Sequence, residues 1–326
     1  MSGATDGVIY GFGALNLDLI FQVPPSLMSE LPYKPGYEYY EGREEGDCLL
    51  QLLQEKAFLE GMAGGGSAAN TVVALSRFGL PCAYIGKVGR DEEGVFVLES
   101  LEGVRKKEVT REGRTGLCIT LLSGDKRDRS LVLIPNANDT LRYEEIPRTS
   151  IYKKASWIHF TSFCGDSPFN AQCRIAREIP PGIKISFDPG MLYARRGLEE
   201  IMPILEKTHY IFPEKKEVEI LTGYSYEKGS RKLFDLGPNV VLCTLGEKGV
   251  FVVFEGGEFH VPAPSVSVVD TTGAGDVFAA GFILSSVRGE PLQKNVEMGI
   301  DLAAQSVTGV GRKGYPYPRK PGISNT

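Results

Sequence analysis

Only three histidines occur in the 326 residues, and they are dispersed, which argues against a histidine-rich metal centre. The six cysteines (Cys48, Cys82, Cys118, Cys164, Cys173 and Cys243) include no close pair, so they read as reduced thiols buried as small hydrophobes, not as a disulfide or zinc framework. No apolar stretch approaches the roughly 20 residues that cross a bilayer, and the N-terminal residues lack the basic and apolar regions of a signal peptide. A cytoplasmic protein without membrane contact is the expectation. At a net charge of −5, basic residues are interspersed among acidic ones. No nucleic-acid surface is therefore expected, and Arg105-Lys106-Lys107 and Lys126-Arg127-Asp128-Arg129 read as solvated turns. No Gly-x4-Gly-Lys-Ser/Thr run is present, so a P-loop is excluded. Gly11-Phe12-Gly13-Ala14-Leu15-Asn16 follows a strand-like run, yet it lacks the third glycine and the ensuing helix pattern of a dinucleotide turn.

What is present is a steady alternation. With 42% apolar residues and no composition shift, the chain suits one large α/β domain or one domain with a small appendage. Strand-like runs fall at Val8 to Phe12, Ala83 to Val88, Ser156 to Thr161, Ile183 to Phe187, Tyr210 to Phe212 and Val240 to Thr244. Helical stretches lie between several of them, at Ser67 to Phe78, Glu92 to Glu102, Phe169 to Glu178, Leu198 to Lys207 and Glu217 to Leu221. Such alternation predicts an α/β fold, a mostly parallel sheet covered by helices on both faces, with ligands outside the carboxyl ends of its strands. Two pieces break the pattern. One is Asp18 to Val23 with the insertion after it; the other is a hairpin-like pair, Gly116 to Leu122 and Ser130 to Pro135, around Gly124-Asp125-Lys126.

The run Asp270-Thr271-Thr272-Gly273-Ala274-Gly275-Asp276 follows a β-like stretch, Phe259 to Val269, and opens a helix-periodic segment, Val277 to Val287. The N–H groups of Gly273, Ala274 and Gly275 are expected to face outward beside the positive end of the helix dipole, where negative charge is stabilised. Asp276 in the first turn can accept a proton from an attacking hydroxyl, as phosphoryl transfer to an alcohol requires. An ordinary Gly-containing helix start would read alike.

A second run is more specific: Met62-Ala63-Gly64-Gly65-Gly66-Ser67-Ala68-Ala69-Asn70-Thr71, with Gly86-Lys87-Val88-Gly89-Arg90-Asp91-Glu92-Glu93-Gly94 beyond it. Together with the Asp270 to Asp276 run, in this order and spacing, the chain resembles the ribokinase-type (PfkB) family of carbohydrate and nucleoside kinases over nearly its whole length. The resemblance implies a single ribokinase-like kinase domain over residues 1–326, with lid segments at about 18–62 and 115–136 forming a small β-sheet over the sugar. It implies ATP and Mg²⁺, with Asp276 as base and Gly273, Ala274 and Gly275 as an anion hole. It places Asn16, Asp18, Gly65, Gly66, Asn70 and Asn138 on the acceptor; by residue type alone Asp18 also suits a turn at the lid edge, and Asn70 a helix start. It sets Thr244, Gly246 and Gly249, within Val240 to Gly249, at the nucleotide. Glu217 matches a glutamate that organises water around Mg²⁺. Glu214 stands where the family's Asn-x-x-Glu motif has asparagine, and reads either as extra charge recruiting the ion or as a solvated helix cap. Asp270 and the main chain near Thr272, Ser306 and Gly311 are the positions implied for K⁺.

The acceptor is a small sugar or nucleoside on this reading. The insertion between Pro24 and Met62 holds Tyr33, Tyr37, Tyr39 and Tyr40, then a helix-like Asp47 to Glu60 whose Leu49, Leu50, Leu52, Leu53 and Phe58 form an apolar surface. An insertion of this length resembles the adenosine-kinase branch. The tyrosines suit stacking on a base, packing of the lid, or a homodimer through the lid. A phosphorylated acceptor of the fructose 6-phosphate type is a further reading: Lys34, Arg43 or Arg114 could meet its phosphate, although long basic side chains near a lid also suit a solvated position. A non-catalytic sugar or nucleoside sensor on the same fold is the reading from another class.

Overall fold

The computed structural model describes residues 7–124 and 128–318. Among them a ten-stranded sheet runs, from one edge, through Gly257–Val261, Val250–Phe254, Val240–Thr244, Tyr210–Ile211, Lys184–Asp188, Ala155–Thr161, Val8–Phe12, Cys82–Val88 and Val104–Arg105, with Val109–Arg111 also paired to Cys82–Val88. From Val240–Thr244 to the Val104–Arg105 edge the pairings are parallel, and the two strands beyond Val240–Thr244 are antiparallel. Val8–Phe12 and Cys82–Val88 are buried at every residue, hence their unbroken apolar character. Ile9 and Trp157 pack with helices Ser67–Arg77 and Ala274–Val287 on one face. Tyr10, Phe12, Ile158 and Phe160 pack with helices Asp166–Glu178 and Leu198–Leu205 on the other. Val8–Phe12 lies between the strands that follow it in the sheet, Cys82–Val88 on one side and Ala155–Thr161 on the other. The winding reverses there, and it is outside the carboxyl ends of the strands at such a point that open α/β sheets bind ligands.

A separate five-stranded sheet orders Glu38–Tyr40, Asp128–Ile134, Gly116–Ser123, Asn16–Gln22 and Phe58–Gly65. In Asn16–Gln22 the side chains of Leu17, Leu19 and Phe21 are buried while Asn16, Asp18 and Ile20 are half-buried. The buried set joins Leu49 and Leu53 of helix Arg43–Lys56 in one core, at roughly 1.5–3 kcal/mol for each fully buried side chain. The helix of the insertion thus backs its own sheet. On the opposite face the register aligns Asp18 with Cys118, Cys118 with Leu133, and Leu133 with Tyr40. From that face Tyr40 reaches Asp139 of the main body.

Several boundaries differ from the sequence reading. The expected Asp47 to Glu60 helix runs instead from Arg43 to Lys56, and Phe58 begins an edge strand where its ring is exposed. The β-like stretch ending at Val269 stops at Val261, because Pro262 and Pro264 remove the N–H donors that would continue the ladder. Of the expected hairpin turn, Asp125 and Lys126, with Arg127, lie outside the described residues. No described helix is long and apolar enough to cross a membrane.

Candidate active site

Helix Ala274–Val287 is buried continuously from Asp276 to Ser285, so it runs through the core, and the burial reaches its first turn. Asp276 is only 8% exposed. Helix Ser67–Arg77 packs beside it and supplies both partners of the carboxylate: Ser67 Oγ donates to Oδ1, and Asn70 Nδ2 donates to Oδ2 at 2.7 Å. Arg312 Nε in turn donates to Asn70 Oδ1 at 2.8 Å. A guanidinium only donates, so Asn70 must turn its oxygen to Arg312 and its amide hydrogens to Asp276, with one hydrogen left for another oxygen. Burial pushes the Asp276 carboxyl up to about 6; the bonds from Ser67 and Asn70 and the charge of Arg312 oppose the rise, and Glu214 adds to it.

The turn before this helix is closed by Ala274 N–H donating to Thr271 O at 3.2 Å. The amide of Ala274 is therefore engaged inside the turn, unlike the outward pose expected of it. Gly273 and Gly275 N–H have no partner among the described residues. Gly273 has φ 76°, which a side chain rarely adopts, and a Cβ there would overlap Tyr315 Oη; a Cβ on Gly275 would meet nothing within 4 Å. Arg129, from the five-stranded sheet, reaches this turn: its Nη1 donates to Thr272 Oγ1 and lies 3.9 Å from Asp270 Oδ1. Asp270 accepts from Thr272 N at 2.9 Å and from Gly311 N at 3.1 Å. Burial opposes ionisation there, but these bonds and Arg129 hold its carboxyl below the usual range. Val307 O accepts from Val269 N and Asp270 N, and Ser306 O accepts from Gly309 N, so Asp270, Thr272, Ser306 and Gly311 belong to one loop cluster.

The acceptor-side residues also converge. Asn16 pairs with Gly65 across antiparallel strands, and a Cβ at Gly65 would overlap the Asp18 carboxylate. Gly66, at φ 108°, presses against Ala14 O, and Gly64 against the Ser100 hydroxyl. Burial pushes Asp18 up to about 7, with Arg312 opposing and Asp276 adding to the rise. Asn138 is placed differently from the rest. It is buried, its Oδ1 accepts from Leu15 N at 2.9 Å, and its Nδ2 donates to Leu15 O at 3.0 Å and Asn16 Oδ1 at 2.8 Å. Both amide hydrogens are thus used, one on the Leu15 main chain and one on the Asn16 side chain. Of the insertion's tyrosines, Tyr33 is buried against Tyr39, Tyr37 is exposed, and Tyr40 Oη reaches across to Asp139 Oδ2 at 3.3 Å. Arg114 pairs with Asp47 at 2.8 Å and Arg43 lies 4.0 Å from the same carboxylate.

Toward the antiparallel edge, Thr244 ends its strand beside Glu214, its N–H donating to Pro213 O at 2.9 Å. Gly246 has open space around it, whereas a Cβ on Gly249 would overlap Val261 O, so Gly249 serves the turn itself. Glu217 is buried and accepts from Glu214 N at 2.8 Å. Burial, then Asp188 and Glu214, push its carboxyl up; burial, then Asp276, push up Asp188, which stands at the end of strand Lys184–Asp188 and lies 3.5 Å from Ser67 Oγ. Sequence reasoning missed Ser67, Asp188, Arg129 and Arg312 as site residues. Only Asp188 carried a usable signal, an acid at the carboxyl end of a central parallel strand.

Asp276 with its donors Ser67 and Asn70, the glycine turn before its helix, and Asn16 and Asp18 of the small sheet thus form one cluster. The pfkB family carbohydrate kinase model matches residues 54–318. An uncharacterized sugar kinase of Archaeoglobus fulgidus is 38% identical over 251 residues, 75% of this chain and 98% of that protein. An ATP-dependent ribose-1-phosphate kinase of Halopiger xanaduensis is 33% identical over 72% of this chain and 77% of its own length. Among solved structures, an adenosine kinase of Anopheles gambiae superposes with a TM-score of 0.85 at 20% identity, covering 97% of this chain and 99% of that one. A ribokinase of Thermotoga maritima gives 0.77 at 25%, covering 95% and 96%. The protein is a phosphotransferase with an alcohol acceptor and a ribokinase-like fold. It belongs to the pfkB family of carbohydrate kinases.

Proposed function

We propose that the protein transfers the γ-phosphoryl group of ATP to a hydroxyl of a small, uncharged sugar or nucleoside, with Asp276 as the base. The observation that carries this reading is the Asp276 carboxylate itself. It is buried, its pKa of about 6 lets it accept a proton near neutrality, and it sits between Asn70 and the Gly273–Gly275 turn. Asp18, Asn16 and the remaining Asn70 hydrogen orient vicinal hydroxyls, while the Gly273 and Gly275 amides and Arg129 take up negative charge on the transferring group. Mg²⁺ supplies neutralisation of the donor's phosphates when bound. The oxygens of Glu217 and Glu214 suit that ion through water, since no three described acidic, histidine or cysteine side chains are grouped to ligate a metal directly. Oxygen donors around Asp270, Thr272, Ser306 and Gly311 suit K⁺.

Two cations stand at the site, Arg312 engaged with Asn70 and Ser100 and Arg129 with Thr272 and Asp270; an uncharged acceptor is favoured over a sugar phosphate because the remaining candidates lie elsewhere. Arg43 and Arg114 are with Asp47 behind the small sheet, Lys34 is exposed, and Arg196 is held by Asp166 and Glu200. Where Tyr40 closes on the main body the group it meets is the Asp139 carboxylate. Purified protein should release ADP only when an acceptor is supplied, which a non-catalytic sensor would not do. Asp276→Asn should lower kcat about 10²-fold or more with KM for ATP within a few-fold. Near-full turnover of that variant would remove Asp276 from the mechanism, and a far better kcat/KM for fructose 6-phosphate or ribose 1-phosphate would overturn the uncharged acceptor.

A further inference from the structure

Strand Ala155–Thr161 turns Trp157, His159 and Thr161 to one face, toward helix Ser67–Arg77. Trp157 Nε1 donates to Ser186 Oγ at 2.8 Å, and Ser186 Oγ lies 2.8 Å from His159 Nδ1. His159 Nε2 lies 3.4 Å from Thr71 Oγ1, and Thr71 Oγ1 donates to the main-chain oxygen of Asp276 at 3.2 Å. Thr71, His159 and Ser186 are fully buried and Trp157 is 1% exposed. The direction of this chain is set by where the Ser186 hydrogen can go, since a hydroxyl that accepts from one donor can still accept from a second. An indole only donates, so Ser186 accepts from Trp157. Among the described residues the Ser186 hydroxyl has no other acceptor than His159 Nδ1, which leaves His159 as the Nε2–H tautomer, donating to Thr71. The Thr71 hydrogen then goes to Asp276 O, shared with Ser67 O of its own helix at 3.3 Å. A second tie from the same strand is Ala68 N–H donating to Thr161 Oγ1 at 3.3 Å.

We propose that His159 and Thr71 are positioning residues for phosphoryl transfer: a buried one-way hydrogen-bond chain from the sheet fixes the register of helix Ser67–Arg77 against the first turn of helix Ala274–Val287. This rests on Asp276 acting as the base. Apolar contact between two helices is non-directional and permits sliding. The contacts that matter to Asp276 do not, because a shift of about 1 Å would carry the Asn70–Asp276 bond beyond hydrogen-bond range. The same chain pins the main chain of Asp276 to the helix that carries Ser67 and Asn70, so carboxylate and donors move as one body. Burial also holds His159 neutral, pushed down to about 3, as a fixed tautomer requires.

The test compares Thr71→Val, which keeps the shape and removes the hydroxyl, with Thr71→Ser and with Asp276→Asn. Thr71→Val should lower kcat roughly 10- to 100-fold while KM for ATP stays within about threefold, the range a small misplacement of reacting groups produces, and Thr71→Ser should recover most of it. Nitrogen-15 NMR of the wild-type histidines should show His159 protonated at Nε2 and bare at Nδ1 from about pH 5 to 8, without titrating. Wild-type kcat in Thr71→Val beside an inactive Asp276→Asn would overturn the proposal, as would an Nδ1–H or titrating His159. An active Asp276→Asn would instead sink the base assignment. If Thr71→Val does not fold, the wild-type tautomer and the Thr71→Ser kinetics decide.

Discussion

The Asp276 carboxylate is held in a place that works against its charge. Its pKa of about 6 lies above the roughly 3.9 of an aspartate in an unfolded chain. Between those values the folded protein keeps a proton that the unfolded chain has lost, so this group's contribution to stability is full below about pH 4 and declines as pH rises through 6. The proposed role as base needs the opposite form. The expected outcome is a kcat/KM that falls about tenfold per unit as pH drops below about 6, while this group alone would move the melting temperature the other way. A pH–rate profile flat to pH 4.5 would contradict it. Asp276, Asn70, Gly65 and Gly66 were legible because a contiguous motif carries each of them. Arg312 was not: its bond to Asn70 spans 242 residues, and a lone arginine near the C-terminal end has no spacing that marks it. Asn138 was legible as present, but not in its task of holding Asn16, which only burial and three hydrogen bonds reveal.

At the level of elements, the turn into helix Ala274–Val287 separates two glycines that look alike in the sequence. Gly273 needs its positive φ and faces Tyr315, whereas Gly275 has open space where a side chain would point. Gly275→Val should therefore keep the fold, within a few degrees of the wild-type melting temperature, and lose at least about tenfold in kcat by crowding the turn. Gly273→Val should lower the melting temperature itself, since both conformation and space are unfavourable. Equal loss of stability in the two variants, by thermal unfolding, would contradict this distinction. The central strands were legible from unbroken apolar runs such as Val8 to Phe12. The insertion was harder. Leu49 and Leu53 correctly mark a helix face, but Phe58 continues the same apolar pattern after the helix has ended at Lys56 and the chain has turned into an edge strand. Periodicity alone does not separate those cases.

For the whole molecule, alternation of strands and helices was enough for the covered parallel sheet, but the joining of two separate stretches of the chain into a second sheet came only from resemblance. Pairings such as Glu38 beside Leu131 leave no local trace. The loop cluster of Asp270, Thr272, Ser306 and Gly311 joins the glycine turn to the C-terminal segment, with Arg129 arriving from the small sheet. Activity should be higher in K⁺ than in Na⁺, through this cluster and not through contact with the acceptor; identical initial rates in potassium, sodium and cation-free buffer would show that no such effect operates. The glycines Gly64, Gly65 and Gly66, which lead from the small sheet into helix Ser67–Arg77, bear differently on movement. Three glycines in a row at such a junction invite the idea of a hinge. Here each has a separate neighbour filling the volume of its missing side chain: the Ser100 hydroxyl, the Asp18 carboxylate and the Ala14 carbonyl. The run is packed, not open: Asp18 belongs to the small sheet and would travel with it, so a swing of that sheet about these glycines would have to free Gly64 from Ser100 and Gly66 from Ala14.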